Sequence, residues 1–554
     1  MTEYSGKSVF AGIAIGKLKI VRHDDSVAPV EQGTPEQEKS KFYAAREKAV
    51  TELNALYEKA LGSVGESEAE IFSMHSMMAQ DADLEDAVIA KIEAGESAAR
   101  AVDEAGFELS QMFIRMDDEY MKARAVDVID VAKRLGGYIL GKKEEEIELD
   151  GLRILASSDF TPSDVVKLDK SKVLGFVTTF GSDNSHTAIL ARTLALPSVV
   201  NIRDSIDLPF DGKLCIVDGF TGKVLVDPDE KTLAEYEEKK RKTDAERLRR
   251  QELIGQKSVT ADGVEMRIYC NIGNSEDVKA VLENGGEGVG LFRSEFLYLE
   301  SSDYPDEQKQ YEEYSRAAKL LDGKLLVIRT MDIGADKQAP YFHLPKEENP
   351  ALGLRSVRIC FERPEIMYTQ LRAIYRASAD GNVAAMVPMI VGVNEVRWVK
   401  EMAAKVRKDL AKEKIPFRAD MQIGIMIETP AAALIADELA EEADFFSIGS
   451  NDLTQYTLAV DRQNQSLEKI ADPHHKAILR LIRYAAECAH AKGKWIGVCG
   501  ELARDPALTE FFAACHIDEL SVSPPYVLPL REKIRSLNVS KSDLDNYTKS
   551  STTG

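Results

Sequence analysis

The stretch Ile423-Gly424-Ile425-Met426-Ile427-Glu428-Thr429-Pro430 is a short apolar run that stops at a carboxylate, a threonine and a proline. The next run, Phe445-Phe446-Ser447-Ile448, stops at Gly449-Ser450-Asn451-Asp452. Apolar runs this short, bounded by turn residues, read as buried strands. Six more share the pattern: Met266–Cys270, Val289–Phe292, Leu325–Ile328, Val383–Val387, Trp495–Val498 and Leu520–Val522. Seven helical stretches separate the eight runs and one more follows the last. Eight βα units in about 280 residues are the signature of a (β/α)8 barrel. A doubly wound sheet is the alternative use of the same elements.

In such a barrel, chemistry gathers where strands end and βα loops begin. The residues just past each run therefore form a candidate site. They are Arg293 and Glu295; Arg329 with Asp332; Glu428; Asn451 and Asp452, with Arg462 further on; and Cys499-Gly500-Glu501. Arginines converging on one mouth call for a polyanion, because the guanidinium fork matches carboxylate and phosphate bidentately. Glu428 and Asp452 are hard oxygen donors on adjacent strands. Two carboxylates completed by substrate oxygens and water suit Mg²⁺. The alternative is that each arginine only pairs with an inward acid. Cys499 at a strand end is most often a small buried hydrophobe. Its place at the mouth also allows a proton donor, if the thiol titrates near neutrality.

The N-terminal half has a different texture. Thr34-Pro35-Glu36-Gln37 has the marks of a helix start and capping box. A helical region follows to about Gly141, with apolar period set by Phe42, Leu53, Leu56, Tyr57 and Leu61. From about residue 150, short apolar runs such as Gly175–Thr179 and Leu214–Val217 alternate with glycine turns, as in a small α/β unit. Lys231–Gln256 is dense in Lys, Arg and Glu and reads as an exposed linker helix. His186 follows a strand-like run and precedes a helical one. Its imidazole can act as a nucleophile, and the helix N-terminus beside it would favour an added phosphate. On this setting alone, an ordinary surface histidine has the stronger claim.

The 554 residues exceed one ordinary domain. A net charge of −22 argues against a nucleic-acid partner. The six cysteines are scattered without a CxxC pair, as for reduced thiols in a cytoplasm. The N-terminus lacks the pattern of a signal peptide, and no apolar stretch is long enough for membrane insertion.

Several stretches resemble enzyme I of the bacterial phosphotransferase system, the phosphoenolpyruvate–protein phosphotransferases. They are Ser185-His186-Thr187-Ala188-Ile189 with Ala191-Arg192, Gly290-Leu291-Phe292-Arg293-Ser294-Glu295-Phe296, Ile328-Arg329-Thr330-Met331-Asp332-Ile333-Gly334, and Gly449 to Tyr456 through Asp461-Arg462. Asp118-Glu119-Tyr120 with Arg124 and Asp127 is similar to the family's helical region. The resemblance runs from Gly12 to about Leu537 and implies an expectation for each part. His186 takes a phosphoryl group from phosphoenolpyruvate and passes it to a histidine of HPr. Arg293, Arg329, Arg355 and Arg462 bind phosphoenolpyruvate, with Asn451 and Asp452 beside it. Glu428 and Asp452 hold Mg²⁺, and Cys499 protonates the enolate to pyruvate.

The implied fold is a multidomain α/β one. Residues 1–32 and 143–230 form a swivelling phosphohistidine domain, and 33–142 an inserted helical HPr-binding domain. Residues 231–256 form the linker helix, 257–540 the phosphoenolpyruvate-binding TIM barrel, which also forms a homodimer, and 541–554 a flexible tail. The chain departs from the family at Ser182, Asp183 and Asn184 before the histidine, and at Ala335 and Leu354. None of these removes a catalytic group. A pyruvate phosphate dikinase or phosphoenolpyruvate synthase would need an ATP-binding domain for which there is no room. A regulatory phosphotransfer protein with a spent site is opposed by Arg293, Glu428, Asp452 and Cys499.

Overall fold

The computed structural model divides into two units, Met1–Ala245 and Glu246–Gly554. It describes residues 1–21, 33–63, 66–115, 119–141, 147, 149–160, 164, 168–181, 186–194, 196–204, 206, 208–299, 301, 303–334, 339–461, 464, 467, 470–541 and 547. Side chains of 59–63, 66–70, 115, 119–124, 126, 186, 189, 193 and 541 lie outside that description. So do Asp118, Ser182, Asp183, Asn184, Ser185, Ala335, Arg462 and the segment 548–554.

The first unit contains a mixed sheet of β1 (Thr2–Ser5), β2 (Lys7–Phe10), β3 (Ile13–Ile20), β4 (Arg153–Ser157), β5 (Val173–Thr178), β6 (Ser198–Val200), β7 (Leu214–Asp218) and β8 (Lys223–Val226). Their order is β1-β8-β7-β3-β4-β5-β6-β2. The centre, β3 to β6, is parallel and the flanks are antiparallel. Between β3 and β4 the chain leaves the sheet for the helices Pro35–Ser63, Glu66–Met78, Ala82–Glu93, Ala98–Arg115 and Glu119–Ile139. They have a core of their own that includes Phe42, Leu53, Phe72, Val88, Val102 and Leu135. The first of them opens on a reciprocal cap. The Gln37 amide N–H donates to Thr34 Oγ1 at 3.4 Å, and the Thr34 N–H donates to Gln37 Oε1 at 2.9 Å. The helix Glu230–Gln251 buries none of its residues. Its sequence offers too few apolar positions for a buried face.

The second unit is built on a closed parallel barrel, as the eight apolar runs imply. Its strands are β9 (Arg267–Ile272), β10 (Val289–Arg293), β11 (Leu326–Arg329), β12 (Val383–Val387), β13 (Ile423–Ile427), β14 (Phe445–Ile448), β15 (Trp495–Val498) and β16 (Glu519–Val522). Closure pairs β16 with β9, Glu519 opposite Arg267. Strand periodicity sends alternate side chains to opposite faces. Outward residues such as Ile268, Val289, Ile328, Ala385, Ile425, Ile448, Val498 and Leu520 join the surrounding helices in one large core. Inward residues Leu291, Val327, Ala384, Met386, Met426, Phe445 and Cys499 fill part of the barrel. Gly424 makes room there: a Cβ on it would lie 2.4 Å from the Phe445 ring.

Arg531, fully buried on the helix Val527–Ser536, ties the end of the barrel to its beginning. It donates to the carbonyls of Leu253 at 3.0 Å and Gly285 at 2.7 Å, to Ser258 Oγ at 3.1 Å, and to Glu287 at 3.2 Å. Removing it would strand two carbonyls and a carboxylate. Arg531→Ala is therefore expected to cost about 3–5 kcal/mol of stability. A lowered urea midpoint with an unchanged slope is the check.

Candidate active site at the barrel mouth

The C-terminal ends of the strands carry the charged residues. Arg293 closes β10 and Arg329 closes β11. Glu428 and Cys499 directly follow β13 and β15, and Asp452 lies in the first turn of the helix Ser450–Leu458 after β14. Acids and arginines alternate across the mouth. Arg329 pairs with Glu295 through Nη2, and its Nη1 lies 3.2 Å from Asp332 Oδ2. Arg355 Nη2 donates to both Asp332 oxygens, at 3.0 and 3.1 Å. Arg355 Nη1 reaches Tyr456 Oη at 3.0 Å and Asp452 Oδ1 at 3.3 Å. The guanidinium groups of Arg329 and Arg355 are held fully charged by these acids despite burial.

The set is not saturated. Among the described residues, Nε of Arg329 and Nε of Arg355 are buried without a hydrogen-bond partner. Glu428 accepts the Met389 N–H on Oε1 at 2.6 Å, while its Oε2 is buried and has no hydrogen-bond partner among the described residues. Burial, and then the charges of Asp452 and Asp332, push Glu428 up to about 8. Met389 adopts φ 59°, a strained value for a non-glycine residue, where its N–H meets the carboxylate. Gly449 is required beside Glu428, since a Cβ there would come within 2.7 Å of Oε2. Arg293 is exposed at the mouth; crowding by protein, then the charge of Arg329, lower its pKa.

Two polar residues after β14 clasp the loop after β15. Asn451 Oδ1 accepts the Glu501 N–H at 2.9 Å, and Ser450 Oγ accepts the Leu502 N–H at 3.4 Å. The donor that Asn451 can still offer is Nδ2. A Cβ on Gly500 would lie 2.0 Å from Ser450 Oγ, so the two loops meet only because residue 500 is glycine. Cys499 is buried, its thiol 3.5 Å from the Ile448 carbonyl. Burial pushes the thiol up to about 12, in keeping with a small buried side chain. It is therefore a fully protonated thiol at neutral pH.

The structure thus gathers Arg293, Arg329, Arg355, Glu428, Asn451, Asp452 and Cys499 in one mouth. Arg462 lies outside the described residues. His186 belongs to the first unit, where it opens the helix His186–Thr193. The next residue, Thr187, is buried and donates to Asp159 Oδ1 at 2.8 Å, which fixes the start of that helix. Reading strand ends passed over three polar residues. Gln370, on a helix, accepts the Met331 N–H at 2.8 Å and donates to Ser294 Oγ at 2.9 Å, behind Arg329. Asn271 and Glu519 point into the barrel from β9 and β16. The only trace of Glu519 in the sequence was a charge next to an apolar run, at its N-terminal side.

Relatives set the class. Residues 247–539 match a family model for the PEP-binding domain of PEP-utilising enzymes, 5–124 their N-terminal domain and 149–222 their mobile domain. The chain is 40% identical to a phosphoenolpyruvate-protein phosphotransferase of Priestia megaterium, over 98% of this chain and 95% of that one. It is 40% identical to the Bacillus subtilis (strain 168) protein of the same name, over 99% and 96%. Against the Haemophilus influenzae one it is 39% identical, over 96% and 94%. The chain belongs to the phosphoenolpyruvate-protein phosphotransferase family.

Asp332 is the acid that Arg329 and Arg355 share. Asp332→Asn is expected to lower stability by about 3 kcal/mol, because two buried guanidinium groups lose their common counter-charge. Thermal unfolding of variant and parent reads the difference.

Proposed function

We propose that this phosphotransferase moves the phosphoryl group of phosphoenolpyruvate onto His186, releases pyruvate, and then passes the group to a histidine of HPr. The observation that carries the reading is the buried, unsaturated arginine–carboxylate array at the barrel mouth. Buried arginines with unused N–H groups are built to receive an anion with several oxygens. Arg293, Arg329, Arg355 and Arg462 take the carboxylate and phosphate, and Asn451 supplies a neutral donor.

Glu428 and Asp452 fit a divalent cation, and we assign Mg²⁺. The fit rests on the unpartnered Oε2 of Glu428 and on the raised pKa of a carboxyl crowded by like charge. Among the described residues no group of three or more His, Cys, Asp or Glu side chains forms a metal site. Two carboxylates are what Mg²⁺ accepts when substrate oxygens complete its shell. When bound, the ion neutralises phosphoryl oxygens and orients them. The imidazole nitrogen of His186 forms its bond to phosphorus as the bridging P–O bond breaks. The electron pair left on that oxygen makes the enolate of pyruvate. Cys499 Sγ–H then gives its proton to the methylene carbon, which completes pyruvate.

The remaining assignments go with this reading. Residues 1–32 and 143–230 carry the phosphohistidine, 33–142 dock HPr, 231–256 link, and 257–540 bind phosphoenolpyruvate and dimerise. The six cysteines are buried and free, which suits a reducing cytoplasm. Among the described residues no helix is long and apolar enough to cross a membrane.

With phosphoenolpyruvate labelled in its phosphate, plus Mg²⁺, the parent protein should gain an acid-labile label and His186→Ala should gain none. Equal labelling of both would refute the assignment. The metal site has a separate signature. Glu428 keeps its proton in the folded state up to about pH 8, while the unfolded chain loses it near its ordinary value of 4.5. Between those values the unfolded state binds fewer protons, so this group lowers stability as pH rises. Mg²⁺ replaces the proton. Its effect on the melting temperature should therefore be larger at pH 8.5 than at pH 6.5, and should vanish in Glu428→Gln. A pH-independent Mg²⁺ effect, the same in both proteins, would move the ion elsewhere.

A further inference from the structure

Asn271 is the inward residue near the end of β9. Ile268, Cys270 and Ile272 face outward into the core shared with the helices, so alternation turns Asn271 into the barrel. The barrel closes on this strand, which pairs with β16 on one side and β10 on the other. The Asn271 amide reaches across β16. Its Nδ2 donates to the Ser521 carbonyl at 3.3 Å and, one strand further, to the Cys499 carbonyl at 3.2 Å. Two carbonyls on one side fix which way the amide points, nitrogen toward them and oxygen away. Among the described residues, Oδ1 is buried and has no hydrogen-bond partner. A buried acceptor left unpaired carries a desolvation cost, so the residue is held in the barrel for its N–H groups.

What those groups hold is the end of a strand. β15 and β16 pair through Gly497 with Glu519 and Val498 with Leu520. Cys499 comes next, past the last rung of that ladder. A backbone carbonyl there needs a donor from elsewhere, and the Asn271 side chain supplies it. The rest of Cys499 is held from β14. Its N–H donates to the Ile448 carbonyl at 3.0 Å, and its thiol lies 3.5 Å from the same oxygen. Burial raises the thiol most, and a hydrogen bond from the Ser447 hydroxyl works the other way. The chain after it is fixed where Gly500 packs on Ser450. Cys499 is thus gripped by β14 on one side and, across β16, by Asn271 on the other.

We propose that Asn271 is a positioning residue for the proton transfer: by holding the Cys499 carbonyl it sets the direction of the thiol, and so the face of the enolate that receives the proton. The inference rests on the role of Cys499 given above. With its carbonyl released, the peptide between Cys499 and Gly500 can rotate, and the Cα–Cβ bond tilts with it. In the step itself the S–H bond breaks as the enolate's electron pair forms the new C–H bond. The thiolate then regains a proton from solvent. Asn271 takes no part in these bonds and controls only the line of approach. Misplacing a reacting group by about 1 Å slows a reaction by about a hundredfold. It also leaves the methylene carbon to be protonated by solvent from either face.

The test reads that face directly. Phosphoenolpyruvate with deuterium in one of its two methylene positions is converted in tritiated water by full-length protein with Mg²⁺, in one quenched turnover. The configuration of the resulting CHDT methyl group of pyruvate is then determined. The parent should give a single configuration. Asn271→Leu, similar in size but without the amide, should give both configurations. It should also lose about tenfold or more of the rate of pyruvate formation, with the KM for phosphoenolpyruvate unchanged. A single, parent-like configuration from Asn271→Leu would overturn the inference, because a merely structural residue alters the rate and not the face. If that variant does not fold, Asn271→Ala also removes the donor and should give the same mixture; a retained single configuration would again overturn it. Cys499→Ala is the separate control. Mixed configurations from it support the thiol as donor. A parent-like configuration there would refute the thiol as donor, and the inference with it, whatever the Asn271 variants give.

Discussion

Asp332 is the charge on which the mouth of the barrel depends. It lies between Arg329 and Arg355, within 3.2 Å of the first and bidentate to the second. Two buried guanidinium groups cannot share a small space without an acid between them, because their desolvation is offset only by close opposite charge. Glu295 and Asp452 extend the alternation at either end. The result is a row of positive charge that is balanced yet keeps N–H groups unused. Such a row is stable empty and receptive to an anion, which is what a site that binds and releases a phospho-acid requires.

Glu428 shows the same principle with the sign reversed. Burial, Asp452 and Asp332 work against its ionisation, and Arg329 and Arg355 work for it. Burial and like charge outweigh the two arginines, and the carboxyl is pushed up to about 8. A carboxyl with so high a pKa gives up little ionisation energy when it is held neutral. The arginine row and Glu428 are therefore parts of one electrostatic arrangement, and Asp332 and Asp452 belong to both.

Much of this was legible in the sequence because strand ends in a parallel barrel converge by topology. Glu428 after Ile423–Ile427 and Cys499 after Trp495–Val498 needed only the strand reading to be placed together. Arg355 did not follow from it. It enters on a loop, between the short helices Pro350–Leu352 and Val357–Glu362, and only the family resemblance put it in the site. Which of the two readings of Cys499 holds could not be told from position, because a mouth location says nothing about how closely side chains pack around it. Gln370 and Asn271 were invisible for a related reason. Each is a neutral amide whose role is set by distant backbone groups, Met331 for one and Cys499 for the other.

Glu519 is the clearest such case. A charged residue at the start of a strand ordinarily sits at the solvated bottom rim, so the run was read as beginning at Leu520. In the barrel its register with Gly497 turns it inward, and the absence of a side chain on Gly497 and Gly290 leaves it room. No local pattern encodes that: it takes three strands brought together by closure. An inward acid is costly to keep, and burial pushes this one up to about 8. The same burial that keeps Cys499 protonated makes its thiolate expensive.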